Sequence, residues 1–393
     1  MRTGGGALGA SLAFLRLLPR CGVQAACGGA SAGRALWSAG RAPWSCRRRS
    51  SSGPPWRLLF FGSDQFAVES LKVLEANSRS SKKDVVASLE VVTLSDDVPV
   101  SKFAEQKCLP VHRWPLGDVD KRFDVGVVVS FGCLLQERLI AKFPHGVLNV
   151  HPSLLPRWRG PAPVFHTILH GDAVTGVTIM QIRPHRFDVG PILNQELHQV
   201  QERCTAEELA NILAVKGAQL LMDTLRTLPQ KMADKREQSQ TGATIAPKIS
   251  WSMSWVEWEE QTCEQIDCLY RAIGSKIPLR TTWMGHTVKL LDFVGKCHIS
   301  LADPSRKSTP GSVSFQKESN VLAVCCKDGW VGFKAVILKK LLTAADFHNG
   351  YLHQTLQRHQ TPPHQAAGGV FSSRRGGTEA PHGEAALQKD KKN

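Results

Sequence analysis

An amide and an imidazole stand two residues apart in this chain, at the end of an apolar run. The run is GVLNV, which contains Asn149 and is followed by His151. Residues two apart on a strand point to the same side, so both side chains would face one ligand. An amide can stabilise a developing oxyanion and an imidazole can manage a proton, which is the chemistry of acyl transfer. A capped strand end before a rigid turn would explain the same residues without catalysis.

A carboxylate further along the chain is the third candidate for catalysis. Asp188 lies in the segment RPHRFDVGPIL, between one apolar run and the next. It could hold the imidazole of His151 in one tautomer, or take its proton through a water. An Asx turn before Gly190 is the structural alternative.

Apolar runs that alternate with helical segments predict an α/β fold around these residues. Nearly continuous apolar strands separated by helices are typical of a parallel sheet covered on both faces. The predicted strands span residues 57–61, 89–94, 123–131, 146–150 and 176–182. One helix is predicted to begin near Asp64, and a longer one at Thr205, which Glu208 would help to cap. An open sheet of this kind binds ligands beyond the carboxyl ends of its strands, where Asn149 and His151 lie.

Composition divides the chain into a leader, a Rossmann-like catalytic domain, a polar linker, a small basic β-barrel domain and a disordered tail. These parts span residues 1–56, 57–231, 232–254, 255–358 and 359–393, respectively. The barrel domain is predicted to open with a helix at Trp255. Residues 264–358 carry 13 basic and 7 acidic side chains, a net charge of +6. This charge indicates a polyanionic partner, although a basic surface without a specific partner would also explain it.

The leader has the composition of a mitochondrial presequence. Residues 1–56 contain eight arginines and no Asp, Glu or Lys. Arg-rich, acid-free segments of this kind direct import, so the sequence predicts a location in the mitochondrial matrix. The apolar stretch GGGALGASLAFL leaves a secretory signal as the alternative, but Arg16 and Arg20 follow it closely.

The cysteines and the size of the chain exclude other classes of protein. The 393 residues, 42% of them hydrophobic, are enough for two domains with sizeable cores. The eleven cysteines are odd in number and contain no CxxC pair. They indicate free thiols in a reducing compartment rather than a disulfide scaffold or a zinc site. The sequence predicts no metal, no membrane span and no feature that demands a dimer.

The motif as a whole resembles that of the folate-dependent formyltransferases. The matching positions are Asn149, His151, Ser153, Leu154, Leu155, Pro156, Arg159, Gly160, Pro163, Asp188 and Gly190. The resemblance covers the chain from about Arg57 to Tyr351, and the Arg-rich leader makes it closest to mitochondrial members. It implies that 10-formyltetrahydrofolate donates a formyl group to the α-amino group of methionine esterified to initiator tRNA.

The resemblance also implies a role for each residue of the site. Asn149 would hydrogen-bond the formyl oxygen, His151 would stabilise the intermediate and help proton transfer, and Asp188 would orient His151 or accept the amine proton through a water. The side chains that would line the folate site are Ser153, Leu154, Leu155 and Pro156, together with the strand end at 127–132. The C-terminal barrel helps to hold the tRNA in this family, in agreement with its positive charge.

Two other functions remain open at the level of the sequence. A small amine such as glycinamide ribonucleotide, or water, could replace tRNA as the acceptor, but neither has a use for a basic second domain. The other alternative is an RNA-binding protein that has kept the fold without the reaction. The intact set of Asn149, His151 and Asp188 argues against it.

Overall fold

The computed structural model describes residues 52–117, 122–299, 308–353 and 370–373. The predicted presequence therefore lies outside the described residues, apart from its last five. Of these five, Trp56 already belongs to the folded domain, because its ring is fully buried and its indole nitrogen donates to the carbonyl of Leu225 over 2.8 Å. The folded domain thus begins one residue before the predicted boundary.

A seven-stranded sheet forms the first domain. Its strands are β1 (Trp56–Gly62), β2 (Val86–Thr93), β3 (Val111–Arg113), β4 (Val125–Val129), β5 (Val147–His151), β6 (Val174–Gln181) and β7 (Ile192–Gln199). They lie side by side in the order β3-β2-β1-β4-β5-β6-β7. The first five of that order are parallel, whereas β6 and β7 are antiparallel to their neighbours. The predicted parallel sheet is therefore confirmed for these five strands and wrong for β6, which is antiparallel to both β5 and β7. The short loop between β6 and β7 can join only antiparallel neighbours.

Six helices accompany this sheet in the described ranges. They are α1 (Gln65–Arg79), α2 (Pro99–Gln106), α3 (Glu137–Ile140), α4 (Pro163–Leu169), α5 (Ala206–Arg226) and α6 (Leu228–Ala233). The predicted helix starts are confirmed: Asp64 caps α1 by accepting from the amide of Ala67, and Thr205 and Glu208 form the capping box of α5. Nowhere in the described residues is a helix long and apolar enough to cross a membrane.

A buried ion pair joins β1 to the start of β4. The carboxylate of Asp124 is 1% exposed and accepts from Nε and Nη2 of Arg57, at 3.0 and 2.6 Å, and from the Arg57 amide at 2.9 Å. Burial opposes ionisation of Asp124, but these hydrogen bonds and the charge of Arg57 outweigh it and hold its pKa below the ordinary 3.8. The ionised carboxylate therefore stabilises the fold.

Replacing Asp124 with asparagine is expected to lower the free energy of unfolding by about 2–3 kcal/mol at neutral pH, because Arg57 loses its partner. Since the pKa is depressed in the folded state, the stabilisation is present above pH 3.8 and is lost as the pH falls through the folded value. Denaturant unfolding at pH 7 and pH 3 measures the difference. Asp223→Asn, which removes the exposed partner of Arg226, is the control and should change stability far less. Equal losses in the two variants would contradict this account.

The segment 232–254, predicted as a linker, is bonded to the first domain rather than free. The backbone of Arg236 exchanges two hydrogen bonds with Ile192, at 2.7 and 2.9 Å. The amide of Ala246 donates to the carbonyl of Arg159 over 2.7 Å. Its polar composition therefore reflects hydrogen bonding to the catalytic domain as well as contact with solvent.

A six-stranded antiparallel sheet forms the second domain. After a 3₁₀ turn at Trp251–Ser254, its elements are α7 (Cys263–Ile273), β8 (Leu279–Trp283), β9 (His286–Lys296), β10 (Val313–Gln316), β11 (Val321–Cys326), β12 (Gly329–Ile337), β13 (Leu341–Thr343), α8 (Ala344–Phe347) and a π-helical turn at His348–Leu352. Its strands lie in the order β10-β11-β12-β9-β8, and β13 pairs with β12. Short antiparallel strands of this kind agree with the predicted class of the second domain.

The first helix of this domain begins later than the sequence predicts. Thr262 and Gln265 form a capping box, so α7 starts at Cys263. Trp255 instead forms a bridge with Arg280 of β8. The prediction of a helix from Trp255 was wrong because the capping signal lies seven residues further on.

Four residues of the predicted disordered tail belong to the second domain. The segment 370–373 pairs with Thr282 in β8 and with Ser312 just before β10, so it connects the two edges of the sheet. Phe371 is fully buried within it. Its ring packs with those of Trp258, Trp283 and Phe347. The prediction of disorder is wrong for these residues, because one well-placed aromatic side chain outweighs the low apolar content around it.

Candidate active site

The three predicted catalytic residues form one cluster at the carboxyl edge of the sheet. Asn149 and His151 lie on β5, and the loop between β6 and β7 brings Asp188 to both of them. Asn149 Nδ2 donates to Asp188 Oδ1 over 3.2 Å, and His151 Nδ1 lies 3.6 Å from the same oxygen. His151 is 4% exposed, so this contact is shielded from bulk water.

The hydrogen bonds of His151 determine which ring nitrogen carries its proton. Nε2 lies 2.9 Å from the carbonyl oxygen of Trp158. A carbonyl can only accept, so Nε2 donates and, in the neutral ring, Nδ1 has a free lone pair. This lone pair faces Asp188 Oδ1, which lies 3.6 Å away. Two hydrogen-bond acceptors, the ring nitrogen and the carboxylate oxygen, are therefore neighbours at this point. An N–H group that reaches Nδ1 could give its proton to it, and the adjacent carboxylate would stabilise the resulting imidazolium.

Asp188 is fixed by its backbone and by both carboxylate oxygens. Its φ of +53° lies in the left-handed region, which few residues other than glycine adopt. The amide of Gly160 donates to Oδ2 over 2.9 Å. Gln238 Nε2 donates to the carbonyls of Asp188 and Gly190, at 2.9 and 2.8 Å. Gly190 tolerates no side chain, since a Cβ would lie 1.8 Å from the carbonyl oxygen of Gln181. The carboxylate is therefore positioned before any substrate binds.

The carbonyl that holds His151 is itself fixed by three segments. Trp158 has a φ of +63°, and its amide donates to Thr244 Oγ1 over 2.8 Å. Its indole nitrogen donates to Asp172 Oδ2 over 2.7 Å. Arg157 makes two hydrogen bonds to the same carboxylate, at 2.8 and 2.5 Å. The orientation of the imidazole thus depends on the loop after β5, the turn between α4 and β6, and the segment between the domains.

Half of the predicted folate-lining segment faces the protein interior. Ser153 is fully buried, and its hydroxyl donates to a backbone carbonyl over 2.7 Å. Leu155 is 3% exposed and packs against side chains of β6 and β7. Leu154 and Pro156 are partly exposed. Side chains of the latter two remain accessible to a ligand, whereas Ser153 and Leu155 support the loop.

Neighbouring strand ends add polar groups that sequence reasoning missed. Asp64 follows β1 and Ser130 follows β4, and β4 lies between β1 and β5, so both share the sheet edge with Asn149. Burial raises the pKa of the Asp64 carboxyl, and hydrogen bonds from the Ala67 amide and the Ser130 hydroxyl partly oppose the shift. The sequence feature that could have identified Asp64 and Ser130 is the polar turn directly after each apolar run.

Sequence reasoning also missed most of the residues that support the cluster. Gly160 belongs to the quoted motif, so its position was a signal, although its hydrogen bond to Asp188 was not predicted. Gln238 and Thr244 lie in the segment predicted as a linker, and no local pattern distinguishes them. Their contacts come from the path of the chain back across the first domain.

One group of potential metal ligands occurs among the described residues, and it lies in the second domain. The ligand atoms of Cys263, Cys326 and Asp328 lie within 4.8 Å of one another. Hydrogen bonds account for this arrangement: the Cys263 amide donates to Asp328 Oδ1 over 2.7 Å, and the two sulfurs are 3.4 Å apart. Burial raises the pKa of both thiols, which disfavours the thiolate that a metal requires.

Known proteins resemble this chain along most of its length. Residues 56–225 match the formyl transferase family, and residues 248–352 match the formyl transferase C-terminal domain. The chain is 54% identical over 330 residues to "Methionyl-tRNA formyltransferase, mitochondrial" of Homo sapiens, covering 81% of this chain and 84% of that protein. The Bos taurus protein of the same name is 52% identical over 321 residues, covering 79% of this chain and 82% of that protein.

A solved structure shares the fold at low sequence identity. It is an N-formyltransferase from Helicobacter canadensis in complex with folinic acid and dTDP-3-aminofucose, 17% identical, with a TM-score of 0.50. The match covers 72% of this chain and 99% of that chain. With the family matches and the identity of more than half to mitochondrial relatives, the chain belongs to the formyl transferase family, among the mitochondrial methionyl-tRNA formyltransferases.

Proposed function

We propose that the chain transfers the formyl group of 10-formyltetrahydrofolate to the α-amino group of methionine on initiator tRNA, and that the product serves initiation of mitochondrial translation. The observation that carries this proposal is the contact of Asn149 and His151 with one oxygen of Asp188. It combines a hydrogen-bond donor for an oxyanion with a proton acceptor for an amine. Both are needed when an amine attacks a formyl carbon.

Asn149 supplies the hydrogen bond to the formyl oxygen in this proposal. An amide nitrogen has two hydrogens, and Asp188 accepts one of them. The other is donated to the oxygen as negative charge develops on it. A fixed donor of this kind contributes about 10²–10³ to the rate, because the protein does not have to reorganise during the reaction.

His151 accepts the proton that the attacking amine loses. Its free nitrogen is Nδ1, because Trp158 accepts from Nε2. Asp188 stabilises the imidazolium across the 3.6 Å gap. The imidazolium then returns the proton to the nitrogen that leaves the formyl carbon, so that one proton is taken and one is given. Leu154 and Pro156 provide apolar surface for the pterin-bearing donor next to this cluster.

The second domain provides the positive surface for the tRNA. Three exposed lysines lie on or just after β12, at positions 334, 339 and 340. Lysines of this kind bind phosphates and contribute affinity but little sequence information. A small acceptor would not need them, which supports an RNA substrate over an amine of low mass.

Replacing Lys334, Lys339 and Lys340 with glutamine is expected to weaken tRNA binding and to flatten its dependence on salt. Each lost phosphate contact lowers the slope of log affinity against log salt by roughly 0.7–0.9, so the slope falls by about 2–3. Titration of tRNA at several salt concentrations measures it. Lys82→Gln with Lys83→Gln, at an exposed turn of the first domain, is the control. An unchanged slope in the triple variant would show that the lysines on and after β12 do not contact the tRNA.

The test of the proposed function is transfer of labelled formyl from 10-formyltetrahydrofolate by the full chain. Methionyl-tRNA, free methionine, glycinamide ribonucleotide and water compete as acceptors. Formylmethionyl-tRNA is expected as the dominant product. Consumption of the donor without a tRNA product would instead support a hydrolase or a small-amine transferase. Binding of tRNA without consumption of the donor would support an RNA-binding protein that has the fold of the enzyme but not its activity.

A further inference from the structure

The loop between β6 and β7 exposes an aromatic ring next to the catalytic cluster. Phe187 is 61% exposed and directly precedes Asp188 in the chain. Single exposed apolar side chains are ordinary on protein surfaces. The position of this one is not ordinary, because the next residue holds the carboxylate that faces His151.

The loop that carries Phe187 is tied down at its base and at its tip. The amide of Gln181 donates to the carbonyl of Pro191 over 2.9 Å, which closes the base. His185 Nε2 lies 3.3 Å from a carboxylate oxygen of Glu137 in α3, and Arg183 pairs with Glu237. The ring is therefore presented at a defined place beside the site.

Three cations in this loop or against the strands that carry it have no carboxylate partner among the described residues. Arg186 is exposed and makes no ion pair within the ranges that the structure describes. Lys235 Nζ donates to the side-chain oxygen of Gln181 at the base of the loop, and Arg236 Nη2 donates to that of Gln195 within β7, both at 3.3 Å. These neutral acceptors leave the positive charges uncompensated and available to an anion.

We propose that Phe187, Arg186, Lys235 and Arg236, here called the Phe187 surface, bind the single-stranded 3′ end of the acceptor tRNA. This inference rests on the proposed function. An aromatic ring with adjacent cations is the combination that binds single-stranded nucleic acid, since bases stack on the ring and phosphates contact the cations. The methionine is esterified to the terminal nucleotide, so a base on Phe187 brings its amine to Asp188 and His151.

Steady-state kinetics of Phe187→Ala in the full chain test the proposal. Loss of one stacked base is expected to raise KM for methionyl-tRNA about 5- to 150-fold. KM for 10-formyltetrahydrofolate should stay within about twofold, because the ring contacts only the RNA. Phe187→Tyr keeps the stacking face and should restore most of the affinity. The matched control is Leu197→Ala on β7, which removes a side chain that is 59% exposed away from the loop.

Inhibition by uncharged tRNA gives a second readout, because this RNA binds the protein but carries no methionine to be formylated. Intact tRNA and tRNA without its single-stranded 3′ nucleotides are compared as inhibitors of the wild-type chain and of Arg186→Gln and Phe187→Ala. The wild type should prefer the intact form, and the variants should lose most of this preference. An unchanged preference, or a rise in KM for the folate alone, would overturn the assignment of the Phe187 surface. If the Phe187 surface is overturned in this way but the wild type still formylates methionyl-tRNA, the proposed function stands. If the wild type formylates no tRNA, both the proposed function and the assignment of the Phe187 surface are wrong.

Discussion

His151→Ala is expected to lower kcat for formyl transfer by about 10²–10⁴, with a small change in KM for the tRNA. Nδ1 of His151 lies 3.6 Å from Asp188 Oδ1, and alanine removes this acceptor for the proton of the amine. Binding of the tRNA depends on other surfaces, so its affinity should be preserved. Single-turnover transfer of labelled formyl, with tRNA affinity measured separately, distinguishes the two effects.

The control for His151→Ala is His112→Ala in the same domain. His112 lies on β3, at the opposite end of the sheet from the site, and its Nε2 is 2.6 Å from a carboxylate oxygen of Glu90. Combining His151→Ala with Asp188→Ala should cost little more than either change alone, because both groups act on the same proton. A large loss of tRNA affinity with normal kcat in His151→Ala would refute the assigned role.

Phe371→Ala is expected to lower the free energy of unfolding of the second domain by about 3–5 kcal/mol. Phe371 is fully buried, and the protein cannot easily refill the space between the indole rings of Trp258 and Trp283. Denaturant unfolding of the full chain, followed by tryptophan fluorescence, measures the change. Val370→Ala, at the partly exposed neighbour, should cost much less. Unfolding curves that coincide with the wild type would mean that the segment 370–373 does not pack on the sheet in solution.

The catalytic cluster could be predicted because its signals are local. The spacing of Asn149 and His151 on one strand places both side chains at the same edge, and the structure has them there. The sequence identified Asp188 as a candidate catalytic residue, but it did not identify all of the groups that hydrogen-bond to it. Besides Asn149, its hydrogen-bond donors are Gly160 and Gln238, which are brought to it by tertiary structure.

The errors in the fold arose where a distant partner outweighs local composition. A window average over the tail is dominated by Gly, Ala and polar residues, so the contribution of Phe371 disappears in it. The segment 232–254 is polar because its side chains bond to the first domain, and polarity alone does not distinguish such a segment from a flexible one. The antiparallel direction of β7 relative to β6 follows from the loop between them, which sequence reasoning identified as a site but did not use to set strand direction.

The pairing of 370–373 with β8 and with the residue before β10 bears on the tendency of the protein to aggregate. An edge strand with free amide and carbonyl groups is a template for strands of other molecules. In the intact chain, hydrogen bonds between Ser372 and Thr282, at 2.9 and 3.0 Å, occupy this part of β8. A chain that stopped before residue 370 would leave the groups free beside an exposed apolar core, and such products would pair with one another instead.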